Sequence, residues 1–291
     1  MTTRSLFLLT LLTPIAALIT GCGDSNSAVP QFTQMVFLSD RTVAPPTALF
    51  IQKLDGTGVT PVPSTAGNPY YISVSADATK VALYISGDAW VQNADGSGAL
   101  QLTTTGNNDF VRISPDGKKV VVIDGSPTHV SIIGVDGTGR LDLTPTLPAS
   151  MTACYSAAFS ADSKQIAFVC EGSSVYGIYT VNADGTGTAT VSDTRTVWTD
   201  LPSFSPDNKK IFFIGQGQGE NDDFESVNLD GSGGTVILPD TYEAVILNSS
   251  VYYTFYSTQL SLYQVYKAGL DGSSPISLSD GLHEDYLGLA D

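Results

Sequence analysis

Five residues of this 291-residue chain recur at one place relative to a short phrase, and their types could act together. Asp109 and Asp200 stand five positions before Ser114 and Ser205, each of which opens a Ser-x-Asp triplet. Tyr70 and Tyr155 hold the same place before Ser75 and Ser160, and aligning the C-terminal "GLAD" on "FSPD" puts Glu284 there as well. If the repeats are set around one axis, these carboxylates and phenols converge into an acidic, aromatic-lined mouth. Focused negative potential of that kind attracts a cationic side chain or a peptide terminus, and tyrosine suits interface anchoring. The alternative is a plain preference of loops for Asp. An enzyme reading has one credible general base, His283, which precedes Glu284 and Asp285 and could work with a nearby serine. His129 begins a strand beside a "GSPT" turn and reads as a surface residue. No G-x-S-x-G elbow, H-E-x-x-H pair or paired-cysteine zinc spacing occurs. The catalytic assignment is therefore none, with His283 as the alternative, and neither a metal nor a cofactor is expected.

The elements that must position these residues are repeats. Asp-Gly pairs followed by a small residue stand at Asp55, Asp95, Asp136, Asp184, Asp230 and Asp271, at intervals of 40, 41, 48, 46 and 41 residues. A second phrase is interleaved with the first: "SADATKVALY" from Ser75, "SPDGKKVVVI" from Ser114, "SADSKQIAFV" from Ser160 and "SPDNKKIFFI" from Ser205. A period in the forties is the length of a propeller blade or a helical-repeat pair. Between the phrases lie short β-branched runs such as "FVRIS", "VVVID" and "HVSIIGV", each stopped by a turn. That is a meander of four strands per repeat, and no sustained helical period appears outside the first residues. Asp and Gly in these phrases are turn chemistry: Gly supplies positive φ and Asp accepts a local backbone N–H. One carboxylate per turn falls well short of the six or more oxygens that a calcium site collects.

These residues resemble the WD-type repeats of the TolB family, in which a blade reads roughly "fSPDGkkIaF…iyvmdaDGsg…LT". The lines "FSPDNKKIFFI" and "IYTVNADGTGTATVS" match that pattern closely, and the resemblance runs from about Met35 onward. It implies an all-β chain folded as a six-bladed β-propeller of four-stranded antiparallel blades. "MVFLSD" reads as a second strand with no first strand before it, and "YLGLAD" as a first strand that stops at its Asp. Pairing the two termini in one blade closes the ring and removes its free edges. The blade near 242–278 is degenerate, since "LNSSVYYTFY" lacks the Asp-Gly turn. Members of the TolB family carry an α/β domain before the propeller, and here the expectation is that it is absent. The resemblance implies binding of another envelope protein or a peptide at the channel mouth; the alternative is a propeller enzyme, a carbohydrate lyase or hydrolase or a peptide-processing enzyme, around His283.

The first residues differ from the rest. Arg4 precedes an apolar run from Leu6 to Ile19 that ends in "ITGC". This is the plan of a secretory signal, too short for a comfortable membrane span. Ile19, Thr20, Gly21 and Cys22 resemble the lipobox of bacterial lipoproteins, which implies that residues 1–21 are removed and Cys22 is lipidated. Residues 22–34 then form a tether and 35–291 the propeller. Gly23, where retention at the inner membrane usually shows Asp, favours the outer membrane, facing the periplasm. Contact with membrane is expected through the anchor only. Thirteen Lys and Arg against twenty-nine Asp and Glu give a net charge of −16, which repels nucleic acid and anionic lipid. In an exported chain, Cys154 and Cys170 could form a disulfide, being equidistant from the turn near Asp162; two buried free thiols are the alternative.

Overall fold

The computed structural model describes residues 8–10, 34–39, 48–53, 60–62, 69, 71–125, 128–144, 151–172, 176–187, 189–195, 199–216, 222–247, 250–257 and 262–278. They form antiparallel four-stranded meanders. The first sheet holds β1 (Leu8–Thr10), β2 (Gln34–Ser39), β3 (Ala48–Lys53) and β4 (Thr60–Pro61), and the second β5 (Tyr71–Val74), β6 (Lys80–Ile85), β7 (Asp88–Asn93) and β8 (Leu100–Gln101). The third holds β9 (Asn108–Ile113), β10 (Lys119–Asp124), β11 (His129–Gly134) and β12 (Leu141–Asp142), and the fourth β13 (Met151–Phe159), β14 (Gln165–Gly172), β15 (Tyr176–Asn182) and β16 (Ala189–Arg195). The fifth holds β17 (Thr199–Phe204), β18 (Lys210–Gln216), β19 (Asp222–Asn228) and β20 (Thr235–Leu238), and the sixth β21 (Thr241–Leu247), β22 (Ser250–Ser257), β23 (Leu262–Gly269) and β24 (Ile276–Ser277).

Alternation along the second strands explains how these sheets stack. Successive side chains of a strand point to opposite faces. In β10, Val120 and Val122 pack with Ala82, Ala89 and Val91 of the second sheet, whereas Val121 and Ile123 pack with Ala157, Phe168 and Tyr179 of the fourth. A strand buried on both faces needs the continuous apolar run that the sequence supplies. The pattern continues outward from there: Ala167 and Val169 meet Ile211 and Phe213, and Phe212 and Ile214 meet Val251 and Tyr253. The second to fifth sheets are thus each flanked on both faces by their sequence neighbours, and the first strands β5, β9, β13 and β17 lie side by side.

The repeated phrases build the turns at one end of the sheets. Ser75, Ser114, Ser160 and Ser205 are buried. Each hydroxyl donates to the Asp two residues on at 2.6–2.7 Å and accepts from the backbone N–H five residues on at 2.9–3.0 Å. The turns also bond from sheet to sheet. Ala76 N donates to the Pro115 oxygen at 2.8 Å, Asp116 N to Ser163 Oγ at 3.1 Å and Ala161 N to Asn208 Oδ1 at 3.0 Å. The Asp-Gly turns lie at the same end and dock on the outer strand of the preceding sheet. A Cβ on Gly231 (φ +81°) would come 2.8 Å from the Val191 carbonyl oxygen, and one on Gly272 (φ +77°) 2.8 Å from that of Ile237. Glycine is required there twice over, for positive φ and for close approach.

In the first sheet the structure departs from the sequence reading. Gln34–Ser39 stands second, as the reading has it, but the first place belongs to Leu8–Thr10 rather than to the C-terminal residues. Leu8 faces Leu38, Leu9 faces Phe37 and Thr10 faces Val36. The reason is physical: the edge of β2 offers unpaired N–H and C=O groups, and Leu8–Thr10 is an extended segment of the same chain that can pair with them. The C-terminal segment 279–291 lies outside the described residues.

Candidate functional site

Strand direction separates two ends. The Ser-x-Asp and Asp-Gly turns occupy one, and the loops from fourth to first strands share the other with the hairpins from second to third strands. Of the residues singled out by spacing, Asp109, Tyr155 and Asp200 belong to the second end, the one expected to form the mouth. Tyr70, His283, Glu284 and Cys22 lie outside the described residues. For Asp109 and Asp200 the backbone is described, in β9 and β17, and their side chains are not.

That backbone is irregular at the expected place. Ile123 pairs with Phe110 and Asp124 with Asn108, so Asp109 is the extra residue of a β-bulge. Cys154 pairs with Cys170 and Ser156 with Val169, so Tyr155 is the extra residue of a bulge at the same distance from the Ser-x-Asp turn. Asp200 differs: it pairs with Ile214, and the irregularity follows at Leu201 and Pro202, before Ser203 pairs with Phe212. Bulges re-aim side chains and gather at sheet edges and functional sites. Tyr155 is 38% exposed although it lies within a nine-residue strand of the fourth sheet. Immediately before it, the Sγ atoms of Cys154 and Cys170 are bonded at 2.00 Å, and both residues are buried.

The loop that delivers Asp109 is clamped by its neighbours. Asp88, at the start of β7, accepts from Gly106 N at 2.9 Å and Thr103 Oγ1 at 3.2 Å. Asn108 Nδ2 donates to the Gly87 carbonyl at 2.5 Å and to Thr103 Oγ1 at 2.7 Å. A Cβ on Gly87 would overlap the Gly106 carbonyl, so the loop sits against bare backbone. Farther along, Arg112 Nη1 donates to the Ala157 oxygen at 2.9 Å and ties the first strands of the third and fourth sheets together.

Sequence spacing missed several groups at this end. Asp222 and Asp223 open β19, and Asp223 Oδ1 accepts from Asp240 N at 3.0 Å in the loop leading to β21. Burial, reinforced by the Asp223 charge, pushes the Asp222 carboxyl above its ordinary value. The signal was present in "NDDF", an acidic pair at a strand start. Asp124 ends the apolar run of β10 and takes Arg140 Nη2 at 3.3 Å. His129 is exposed and pairs in register with Asp124. Among the described residues no group of three or more His, Cys, Asp or Glu could hold a metal ion, and no helix is long and apolar enough to cross a membrane.

At the opposite end, the turn carboxylates are consumed by their own turns. Asp95, Asp136, Asp184, Asp230 and Asp271 are held below the ordinary carboxylate value, first by the hydroxyl two residues on and then by that residue's backbone N–H. A 510 Å³ cleft between the third and fourth sheets lies at this end too. Lys119 crosses it to donate to the Ala183 oxygen at 2.6 Å.

Solved structures share this architecture. A TolB homologue structure from Agrobacterium tumefaciens aligns with a TM-score of 0.60 at 21% identity, over 76% of this chain and 84% of that one. TolB from Acinetobacter baumannii aligns with a TM-score of 0.63 at 15% identity, over 87% of this chain and 65% of that one. The β-propeller domain of the Trilobed protease from Pyrococcus furiosus aligns with a TM-score of 0.61 at 13% identity, over 85% and 79%. The chain is an all-β protein with the fold of TolB and related β-propellers. At these identities the likeness concerns fold alone, and 912 matching chains show how widely that fold is used. No protein-family model and no curated protein matches the sequence.

Proposed function

We propose that the mature protein is a lipid-anchored six-bladed β-propeller of the bacterial cell envelope, binding a cationic segment of another envelope protein or peptide at its mouth. In this reading residues 1–21 are removed and Cys22 carries the lipid. Residues 22–34 are the tether, and the propeller faces the periplasm from the outer membrane. The C-terminal strand 286–291 then takes the place beside Gln34–Ser39 that the leader vacates. The observation that carries the binding role is the pair of bulges at Asp109 and Tyr155, which interrupt neighbouring first strands at one level. An extra residue at the same level in two packed sheets costs ladder hydrogen bonds, and a surface that presents its side chains gives that cost a purpose. The acidic pair Asp222 and Asp223 and the net charge of −16 favour a cationic partner over nucleic acid. Likeness to TolB supports a protein or peptide ligand as analogy of fold.

The test is capture from envelope extract by the immobilised full chain, beside a variant carrying Asp109→Asn, Asp200→Asn and Glu284→Gln. We expect a partner to be retained by the parent, lost by the variant and released by salt. Equal retention by both removes the acidic mouth as the binding site.

A further inference from the structure

The mouth end of the third sheet holds two buried acceptor oxygens without a donor among the described residues. Asn108 is 1% exposed and Asp124 7%, and they face each other across β9 and β10. Neither Asn108 Oδ1 nor Asp124 Oδ1 has a hydrogen-bond partner among the described residues. Turning the amide round does not cure this. Its nitrogen donates to the Gly87 carbonyl and to Thr103 Oγ1, and exchanging the two atoms would set oxygen against carbonyl oxygen. The carboxylate is fixed as well, since Arg140 holds its other oxygen.

Directly opposed residues on antiparallel strands have Cβ atoms about 4.5–5.5 Å apart, so one small group can serve both oxygens. One acceptor is neutral and the other belongs to a carboxylate, so the fitting occupant carries positive charge and at least two N–H donors. An ammonium offers three donors on a compact centre, whereas a guanidinium wants a planar fork of parallel acceptors. The place adjoins the bulged Asp109, behind the exposed loop residues Thr104, Thr105, Gly106 and Asn107.

Resting on the mouth being a site for a cationic partner, we propose that Asn108 Oδ1 and Asp124 Oδ1 form the seat of a primary ammonium, from a lysine side chain or a peptide N-terminus. Arg140 limits its strength by neutralising part of the Asp124 charge.

The test follows the Asn108 side-chain amide by nuclear magnetic resonance in the labelled full chain. It is titrated with Nα-acetyl-lysine methylamide and, separately, with glycine methylamide; acetylglycine methylamide is the uncharged control. We expect a saturable shift with one or both amines and none with the control, and the stronger of the two identifies the source of the ammonium. Asp124→Asn should weaken binding about five- to tenfold, the difference between a charge-assisted and a neutral hydrogen bond. Arg140→Gln should strengthen it, whereas a merely structural role for the Asp124–Arg140 pair would weaken it in both variants. Absence of any shift, with a water resonance exchanging at the amide, assigns the two oxygens to a resident water and overturns the proposal. If partner capture still depends on Asp109, Asp200 and Glu284 in that case, the mouth survives without this seat. If the amines bind here while capture does not depend on those residues, the seat survives and the acidic mouth does not.

Discussion

Cys154 and Cys170 are joined directly across β13 and β14, one residue before Tyr155 bulges out of the ladder. The crosslink stands between the two irregularities of that ladder and closes a segment with a sequence separation of 16. Closing a loop of about 15 residues stabilises a fold by about 3 kcal/mol. Urea unfolding with and without a reductant should differ by that order. The double variant Cys154→Ala, Cys170→Ala should show the lower stability under both conditions.

Gly272 and Gly139 separate two roles of glycine. Both have positive φ, but a Cβ on Gly139 meets nothing within 4 Å, whereas one on Gly272 meets the Ile237 carbonyl. Gly139→Ala should cost about 1–2 kcal/mol, the left-handed penalty alone. Gly272→Ala should cost at least about 1 kcal/mol more, because backbone of the preceding sheet must move. Equal losses in denaturant titrations would remove the docking of that turn from the account.

Asp136 accepts from Thr138 Oγ1 at 2.7 Å and from Thr138 N at 2.9 Å, which lowers its carboxyl from the ordinary 3.8. A carboxyl depressed in the folded state stabilises above its unfolded value, and that contribution is lost as pH falls through the folded value. With the turn carboxylates and Asp162 and Asp207 all lowered, stability should hold down to about pH 4 and fall below it. Thr138→Ala should move the Asp136 titration midpoint up toward 3.8 in a carboxyl resonance experiment. Asp222 has the opposite sign. Its carboxyl is raised by burial and by Asp223, so its charge opposes folding at neutral pH, and Asp222→Asn should stabilise there, with the gain shrinking as pH falls.

Residue type carries turns and strands well and backbone irregularity poorly. "NADGSG" and "SPDGKK" were readable because each turn consumes its own Asp, Ser or Thr and Gly within six residues. "VVVI" was readable as a strand because its β-branched residues are bounded by turn residues on both sides, while its burial on both faces became visible only with the neighbouring sheets in place. The bulge at Asp109 leaves no signature, since any residue can be the extra one; only its recurrence with Tyr155 hinted at a shared level. Asp200 shows the limit of that hint, because its bulge falls one residue later, at Leu201 and Pro202. Nothing in the sequence shows that Asn108 and Asp124 keep unsatisfied oxygens, which depends on what Gly87, Thr103 and Arg140 already occupy. Pairing of Leu8–Thr10 with β2 was also illegible, because a leader is read for export and not for the edge it can cover.

The edge of β2 supplies a prediction of its own. In the full chain, amides of Val36 and Leu38 are flanked by Leu8–Thr10. In a chain beginning at Cys22, deletion of residues 286–291 should abolish hydrogen-exchange protection of those amides of β2 that point toward this edge, because nothing then covers it. The same deletion in the full chain should leave them protected. Protection that survives the deletion in the shorter chain would mean that the ring is not closed by the C-terminal strand.

In the proposed function partners bind at the mouth, where Tyr155 is exposed, and not at the opposite end. A photo-crosslinking amino acid placed at position 155 in the full chain, and separately at 138 in an Asp-Gly turn, tests it in intact cells. Position 155 should give a covalent adduct of one defined mass and position 138 none. An adduct from 138 with none from 155 would contradict it.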